Sequence, residues 1–443
     1  MFQESLSDYL ARIESLLSSD DEIKASRGLA TSLSLRDAHV MNFALQTAAV
    51  NHSALSDECK RIISAPFDSL AHHHLNAVAA LNEQRYADAF WAQSKLADVL
   101  VKEVVKKSID ENWFLPIVYR VCSDLRLTAH AASKASTKSV GGYSSSTAAI
   151  IDGGQSSDDP EQNVTALGHS ETNNDFYERA TALIMECYRC CVVDVRAALE
   201  VSKRVAMLNL TNQLFRLYFR INKLHLLKPL VRAIETTAGD ELHETFSMAD
   251  RVTYRYYVGR RAMFDSDFKR ADEALSFAFR NCFPSESRHN RRLILTYLIP
   301  VKMFLGTLPS AKLLDDYNLN EFSDVATAVR TGNLTLLNDA LDRHEAFFIR
   351  AGIFLLLEKL KSITLRTLFK RVCTIAGSAQ VPLENFVTAL HFVNATDVDS
   401  AEVACLLANL INQRQIKGYI SHDHQKLVIS KKEPFPALSS VNV

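Results

Sequence analysis

Runs of histidine and cysteine are the first places in this sequence where side-chain chemistry could be concentrated. Cys187 and Cys190 have the CxxC spacing of half a zinc site, but no second CxxC or histidine pair follows at the distance that a tetrahedral site requires. His72-His73-His74 offers three imidazoles, yet consecutive residues of a helix point in different directions, so they cannot easily share one ion. His422 and His424 lie in a polar turn and are expected to be solvated. The sequence therefore predicts no metal ion and no cofactor.

Motifs for catalysis are missing from the sequence as well. It contains no GxSxG nucleophile elbow, no phosphate-cradling glycine loop and no HExxH. The carboxylates are scattered along amphipathic helical patterns, and none forms an isolated acid/base pair. We therefore expect a protein that is not an enzyme. An enzyme hidden in the N-terminal half stays open as the alternative from a different class.

The overall composition is that of a helical protein with a large core. The chain has 443 residues, 47% of them hydrophobic, with only 13 glycines and 10 prolines. No apolar run reaches the length of a membrane span, and the polar, acidic start of the chain does not resemble a secretory signal. Eight irregularly spaced cysteines indicate reduced thiols in the cytoplasm or nucleus.

Basic side chains are unevenly distributed, although the net charge is −1. Residues 201–310 carry eighteen basic against ten acidic side chains, and residues 351–443 carry ten against seven. This asymmetry indicates an acidic partner or nucleic acid, with solvated helix faces as the alternative. Contacts to phosphates need cations on one exposed surface. The candidates for nucleic-acid binding are Lys370, Arg371, Arg414, Lys417, Lys426, Lys431 and Lys432.

These cations belong to a pattern of three helices followed by a hairpin. Residues 366–371 lie on the first helical pattern, residues 382–390 form the second and residues 400–411 form the third. Two apolar runs around a polar turn follow over residues 416–429, which predicts a β-hairpin. Three helices capped by a hairpin form the winged-helix pattern, a module that reads nucleic acid or docks proteins.

The third helix of such a module is usually the one that reads bases. Here it carries Glu402 and no lysine or arginine before Arg414, unlike a sequence-specific DNA reader. We therefore predict non-specific binding through the wing and the neighbouring helix, to single-stranded RNA or to mixed substrates. A winged helix that only docks partner proteins is the alternative.

Stacked helix pairs are predicted ahead of the winged helix. Three runs, beginning at Gln84, Asp267 and Gly332, resemble the turn and second helix of a tetratricopeptide-like unit, and such units bury their apolar faces by stacking. The predicted fold is all-α, a right-handed superhelix of tetratricopeptide-like helix pairs followed by a C-terminal winged helix, with a plain helical bundle as the alternative. We expect an N-terminal helical region over 1–130, a disordered Ser/Gly-rich loop over 131–175, the helical-repeat superhelix over 176–350, and the winged helix with a short C-terminal tail over 351–443.

A superhelix of helix pairs that runs into a winged helix resembles the PCI domain, and particular runs narrow the resemblance. The runs Tyr256–Phe268, Tyr297–Met303, His344–Gly352 and Lys417–Val428 resemble the PCI domain-containing protein 2 family, the Thp-type PCI subunits of the second transcription–export complex, TREX-2. The resemblance extends from about residue 200 to the end of the chain and is looser before residue 130. Nothing is carried over to residues 131–175.

The resemblance implies a non-catalytic scaffold subunit in transcription-coupled mRNA export. Its location would be the nucleus, associated with the nuclear pore, with some cytoplasmic pool. Its partners would be a large helical scaffold protein of the Sac or GANP type, a small, very acidic protein of the Sem or DSS type, and RNA or DNA bound without sequence specificity. A PCI subunit of another assembly, the proteasome lid or the signalosome, that acts only in protein docking is the alternative.

A small acidic partner needs a basic groove, because charge pairing must offset the cost of ordering it. The arginine-rich middle of the chain could supply such a groove, and internal pairing along the helices is the alternative for each arginine. The candidates for partner binding are Arg216, Arg220, Arg260, Arg261, Arg291 and Arg292.

Overall fold

A computed structural model of the chain shows an all-α protein with one small sheet near the C terminus. The structure describes residues 4–47, 52–108, 111–140, 171–194, 198–238, 244–283, 287–393 and 398–441. These residues form two compact units, the first ending at Tyr254 and the second beginning at Arg255. The predicted fold class of helix pairs followed by a winged helix is confirmed.

The first unit consists of helices that follow one another along the chain, most of them packed on the next. Its helices are α1 (Leu6–Leu17), α2 (Glu22–Ser32), α3 (Phe43–Thr47), α4 (His52–Ile62), α5 (Phe67–Asn82), α6 (Tyr86–Val99), α7 (Leu115–Val140), α8 (Glu171–Val192), α9 (Met207–Arg220) and α10 (Leu227–Ala238). A π-helical stretch, Leu100–Val105, continues α6. Helix α11 (Met248–Phe264) contains the boundary between the two units.

The second unit continues with helices and ends in three strands. Its helices are α12 (Phe268–Asn281), α13 (Arg288–Phe304), α14 (Ala311–Asp316), α15 (Glu321–Thr331), α16 (Leu334–Arg343), α17 (Glu345–Ala351), α18 (Phe354–Glu358), α19 (Leu360–Ala376), α20 (Leu383–Phe392) and α21 (Ser400–Asn412). Its strands are β1 (Gln380–Pro382), β2 (Gly418–Ser421) and β3 (Lys426–Ile429).

Successive helices of the first unit pack on each other, α5 on α6, α6 on α7, α7 on α8 and α8 on α9. Their amphipathic sequences account for this, because each helix places apolar side chains three and four residues apart. Leu75, Phe90 and Leu125, on α5, α6 and α7, are fully buried. Helix α9 also buries an apolar side, which includes Met207 and Leu214.

The three repeat-like runs share one turn geometry. In each run a residue in the left-handed region lies two positions before the second helix: Gln84 (φ 58°) before α6, Ser266 (φ 61°) before α12 and Gly332 (φ 75°) before α16. The next backbone N–H then donates to the carbonyl five residues earlier, which ends the first helix and reverses the chain. These bonds are Arg85 N to Ala80 O (2.8 Å), Asp267 N to Ala262 O (2.9 Å) and Asn333 N to Ala328 O (3.1 Å).

The winged helix is built by α19, α20 and α21 around a common apolar core, closed by the sheet. The rings of Phe369 and Phe386 meet edge to face at 5.1 Å, and Leu407, Val381 and Leu427 add fully buried side chains from α21, β1 and β3. The strands are antiparallel in the order β1-β3-β2. The hairpin predicted over 416–429 corresponds to β2 and β3.

Strand β1 is an element that the sequence pattern did not predict, since the second helix was expected to start at Pro382. The structure ends β1 at Pro382 and starts α20 at Leu383. Three residues are too few to show an alternating pattern, and a proline is compatible with the end of an edge strand.

The predicted disordered loop over 131–175 differs from the structure at both ends. Helix α7 continues to Val140, with Ala132 and Ser133 buried, and α8 begins at Glu171. Alanine and serine fit a close helix contact, which the Ser-rich composition concealed. Residues 141–170 lie outside the described part of the chain.

The structure does not separate the helical repeats from the winged helix between residues 350 and 351, where the sequence predicted a domain border. Helices α13, α15 and α16 all pack on α19, the first helix of the winged helix, within one compact unit. The division that the structure shows falls within α11, between Tyr254 and Arg255. A break in composition does not mark it, because an uninterrupted helix passes through it.

Candidate nucleic-acid interface

The seven predicted nucleic-acid-binding side chains lie on different elements of the winged helix. Six are exposed and Lys426 is half-buried. Two lie on α19, one in the turn after α21, one just before β2, one at the start of β3 and two after β3. In that order they are Lys370 and Arg371, Arg414, Lys417, Lys426, and Lys431 and Lys432.

A shallow groove brings two of these lysines together. Lys370 of α19 and Lys431 of the C-terminal tail line a depression of about 410 Å³, with Gly377, Ser430 and Phe435 between them. The groove lies beside the C-terminal end of α19, where the orphan carbonyls of a helix carry partial negative charge. Helix α19 has no basic residue in its own last turn, and the two lysines form a cationic rim of the groove that could contact phosphate.

Two further lysines share the outer face of the sheet. Strand pairing places Tyr419 opposite Val428, and Ser421 opposite Lys426. Because side chains alternate along a strand, Lys417, Tyr419 and Lys426 all lie on the face away from buried Leu427. This face therefore combines two cations with one exposed aromatic ring.

Contacts within the protein occupy two of the predicted cations. Lys417 forms an ion pair of 2.7 Å with Glu433 of the tail, both groups being about half exposed. Arg371 donates to the backbone carbonyl of Arg330 at 3.1 Å, so it faces α15. Arg414 adopts a left-handed backbone (φ 60°) in the turn between α21 and β2, with its side chain exposed. The nucleic-acid role of all seven side chains stays a prediction.

The third helix of the module presents no cation, as its sequence predicts. Its exposed positions include Glu402, Cys405 and Asn409, and Asp399 caps its N terminus by accepting from Glu402 N at 2.8 Å. An acidic N-terminal turn of this kind repels phosphate. The wing, the tail and α19 are therefore the cationic parts of the winged helix.

Arg366 is a structural residue of this interface that sequence reasoning missed. It lies on α19 with only 7% of its surface exposed, and its guanidinium donates to Gln415 O at 3.1 Å and to Pro436 O at 2.5 Å. The group also lies 5.7 Å from the ring centre of Phe435. Arg366 thus fixes the tail that carries Lys431 and Lys432. Its only sequence signal is an arginine at an apolar position of an otherwise regular helix.

The four candidate arginines for partner binding in the second unit have internal partners. Arg260 lies 4.4 Å from the ring centre of Tyr297 and contacts Tyr256, whose pKa is raised by burial. Arg291 lies 4.2 Å from the ring centre of Phe279, a favourable cation–π distance. The remaining two contacts are the ion pair of Arg261 with Asp265 (3.3 Å) and the bond of Arg292 to Asn318 O (3.3 Å).

The other two candidate arginines, Arg216 and Arg220, are half-buried on α9 of the first unit. Aromatic stacking and internal bonds thus account for much of the arginine enrichment between residues 201 and 310. Partner binding by the six arginines stays a prediction. None of the six is classed as exposed, so it is not supported by freely exposed guanidinium groups.

Cys187 and His74, two of the residues that were set aside as metal ligands, have other partners. Cys187 Sγ lies 4.0 Å from Cys122 Sγ, and this contact together with burial raises the pKa of the Cys187 thiol. His74 Nε2 lies 2.9 Å from His39 Nε2, whose Nδ1 lies 3.0 Å from Asp37 Oδ2. Within the described ranges no three His, Cys, Asp or Glu side chains are grouped to hold a metal ion. None of the described helices is long and apolar enough to cross a membrane.

Helix pairs that pack on a winged helix with a short three-stranded sheet define a PCI-type protein. In agreement, the family model described as "PCI domain" matches residues 341–431, which cover α17 to β3 and the two residues after it.

Comparison with whole proteins identifies the family within this class. The chain is 45% identical to the PCI domain-containing protein 2 homolog of Caenorhabditis elegans over 439 residues, 99% of this chain and 98% of the relative. It is 43% identical to PCI domain-containing protein 2 of Danio rerio, over 99% of both chains. The chain belongs to the PCI domain-containing protein 2 family, as its sequence pattern predicted. A more distant relative is the Protein CSN12 homolog of Schizosaccharomyces pombe, 27% identical over 97% of both chains.

Proposed function

We propose that the protein is a non-catalytic scaffold subunit of TREX-2, the transcription-coupled mRNA export complex at the nuclear pore. Two observations together support the proposal. The fold is of the PCI type, and the cations of its winged helix lie on the wing, the tail and α19. Such a surface suits phosphate contacts without base reading, which is what a complex that handles many transcripts requires. The proposed location is the nucleus, associated with the nuclear pore, with some cytoplasmic pool.

The proposed protein partners are a large helical scaffold protein of the Sac or GANP type and a small acidic protein of the Sem or DSS type. Large apolar side chains on the second unit support a protein partner. Leu355, Ile375 and Phe392 are 75%, 86% and 88% exposed, and burying such side chains would stabilise an interface. The basic excess of residues 201–310 supports an acidic partner, even though aromatic rings flank several of its guanidinium groups.

Charge reversal at four lysines tests the nucleic-acid part of the proposal. The variant carries Lys417→Glu, Lys426→Glu, Lys431→Glu and Lys432→Glu, and we expect it to lose RNA binding at low salt while its far-UV circular dichroism and melting temperature are kept. A matched variant reverses four exposed lysines elsewhere and changes net charge equally: Lys24, Lys60, Lys269 and Lys312. Equal RNA affinity of the wild type and the wing variant would reject the wing as the binding surface.

Co-purification from nuclear extract with mass spectrometry tests the assignment to the complex. We expect the export scaffold and the small acidic protein to be recovered with the wild type and with both charge variants, since the lysines are not proposed to bind them. Recovery of proteasome-lid or signalosome subunits in place of the export scaffold would overturn the assignment.

A further inference from the structure

An aromatic residue in the middle of a strand is usually half-buried, but Tyr419 of β2 is 61% exposed. Its side chain lies on the outer face of the sheet, because its neighbour Ile420 pairs with buried Leu427 on the inner face. An exposed tyrosine ring presents a flat apolar surface of large area. Contact of the hydroxyl group with water would not by itself require the whole ring to be exposed.

The neighbours of Tyr419 on this face are a valine and two lysines. Val428 lies directly opposite on β3, and Lys426 is the diagonal neighbour, with a Cα separation of roughly 7–8 Å. Lys417 precedes Tyr419 by two residues and points to the same side. The ring is therefore flanked by a lysine just before its own strand and by another on the adjacent strand.

The outer face meets the groove that contains Lys370 and Lys431 at one residue, Ser430. Ser430 N donates to Lys417 O at 2.8 Å, which extends the pairing of β2 and β3 by one residue, and Ser430 is also one of the residues that line the groove. Lys426, Tyr419 and Lys417 therefore share the outer face, and Lys431 follows Ser430 at the groove.

We propose that Tyr419 is the base-stacking residue of a single-stranded nucleic-acid site, with Lys426, Lys417 and Lys431 on the phosphates beside the stacked base. The inference rests on the proposed function and specifies its ligand as single-stranded. An unpaired base has a free π-face to place on the tyrosine ring, whereas duplex bases are already stacked on each other. The lysines supply the charge complementarity that an apolar peptide would not use. A phosphate at Lys417 would exchange with Glu433, its present partner.

The test is fluorescence anisotropy of the full chain with labelled oligouridylate of about twelve nucleotides and with an RNA duplex of similar length, at several salt concentrations. Tyr419→Leu should weaken binding of the single strand about fivefold or more and leave the duplex affinity unchanged. Its salt dependence should be that of the wild type, because no phosphate contact is lost. Tyr419→Phe should bind the single strand within about twofold of the wild type, because it keeps the ring.

Two further variants separate stacking from charge. Lys426→Gln should weaken both RNAs and lower the salt slope for the single strand by about 0.7. Phe392→Leu is the matched aromatic control, because Phe392 is 88% exposed at the end of α20, where Thr335 of α16 donates to the adjacent Val393 O. It should bind both RNAs like the wild type.

Several results would overturn the proposal in distinguishable ways. If Tyr419→Leu binds both RNAs like the wild type while Lys426→Gln is weak, stacking is wrong and the proposed function is kept. If Tyr419→Leu weakens single strand and duplex equally, the tyrosine has only a structural role. If its RNA binding is intact but a protein is lost from the purified complex, the face docks protein. If the wild type binds neither RNA at low salt, the nucleic-acid part of the proposed function also fails.

Discussion

Replacing Arg366 by methionine should release the C-terminal tail and destabilise the winged helix. Arg366 is only 7% exposed, and its guanidinium donates to the backbone carbonyls of Gln415 and Pro436. Hydrogen bonds to a charged group contribute about 1.5–3 kcal/mol each, so the two bonds are worth at most about 3–6 kcal/mol. Methionine keeps the packing of the stem, and the carbonyl of Pro436 regains water once the tail moves away. We therefore expect a net loss of about 2–3 kcal/mol.

Amide hydrogen exchange is the suitable assay, because the two units need not unfold together. In Arg366→Met the amides of α19 and of residues 431–441 should exchange faster, and those of the first unit should be unchanged. Arg366→Lys keeps the charge but not the forked donor geometry, and should lie between the wild type and Arg366→Met. Arg371→Met is the control, since Arg371 is exposed and makes one bond, to Arg330 O. Exchange in Arg366→Met like that in the control would refute the reasoning.

Three further perturbations test other parts of the fold. Burial lowers the pKa of His39 and His74, so below about pH 6.5 the unfolded state binds more protons than the folded state. As the pH falls, the free energy of unfolding of the first unit should therefore decrease by up to about 1.4 kcal/mol per pH unit for each histidine. Urea unfolding between about pH 7.5 and 5 checks this, and the double variant His39→Gln, His74→Gln should show a flatter pH profile. Lys203 is buried, and its ammonium donates to the carbonyls of Val105, the last residue of the π-helical stretch, and of Ser108. Lys203→Met should therefore destabilise the first unit by about 2 kcal/mol in the same assay, and unchanged unfolding would contradict it. Gly332→Ala should lower the free energy of unfolding by about 2–4 kcal/mol, because the new Cβ would lie 2.7 Å from Leu368 N and the backbone has a positive φ. Gly377→Ala is the control: it also has a positive φ but open space around its Cβ, and should lower stability by only about 1 kcal/mol. Equal melting temperatures of the two variants would exclude the clash.

The helix pairs could be predicted because their local chemistry is sufficient to specify them. The turns before α6, α12 and α16 each combine a residue with positive φ, which is a glycine before α16, with a polar residue and a following apolar helix start. At Asp267 and Asn333 the side chain caps the next helix by accepting from Arg270 N and Leu336 N. Information of this kind lies within a few residues of the chain. The hairpin of the wing was predictable for the same reason.

Other features depend on residues that are distant in sequence. His74 meets His39 across 35 residues, and Arg366 meets Pro436 across 70. No local pattern indicates that an arginine will be buried against a returning tail, or that the ring of Tyr297 will receive Arg260. The lysines of the wing were identified from residue type alone, whereas the face they share follows from the strand register, which pairing with β1 and β2 fixes.

The tail connects the stability of the winged helix to the surface proposed for nucleic acid. Lys417 N donates to Pro434 O at 2.8 Å, and Leu438 packs near Gly306, so the tail is held at the wing and at the helix pairs of the same unit. Lys431 reaches the groove only while this tail is docked. Arg366→Met should therefore weaken RNA binding although it removes no proposed phosphate contact, and the loss should match that of Lys431→Gln, Lys432→Gln. Full RNA affinity in Arg366→Met, with its tail shown by hydrogen exchange to be released, would mean that β2, β3 and Lys370 suffice for binding.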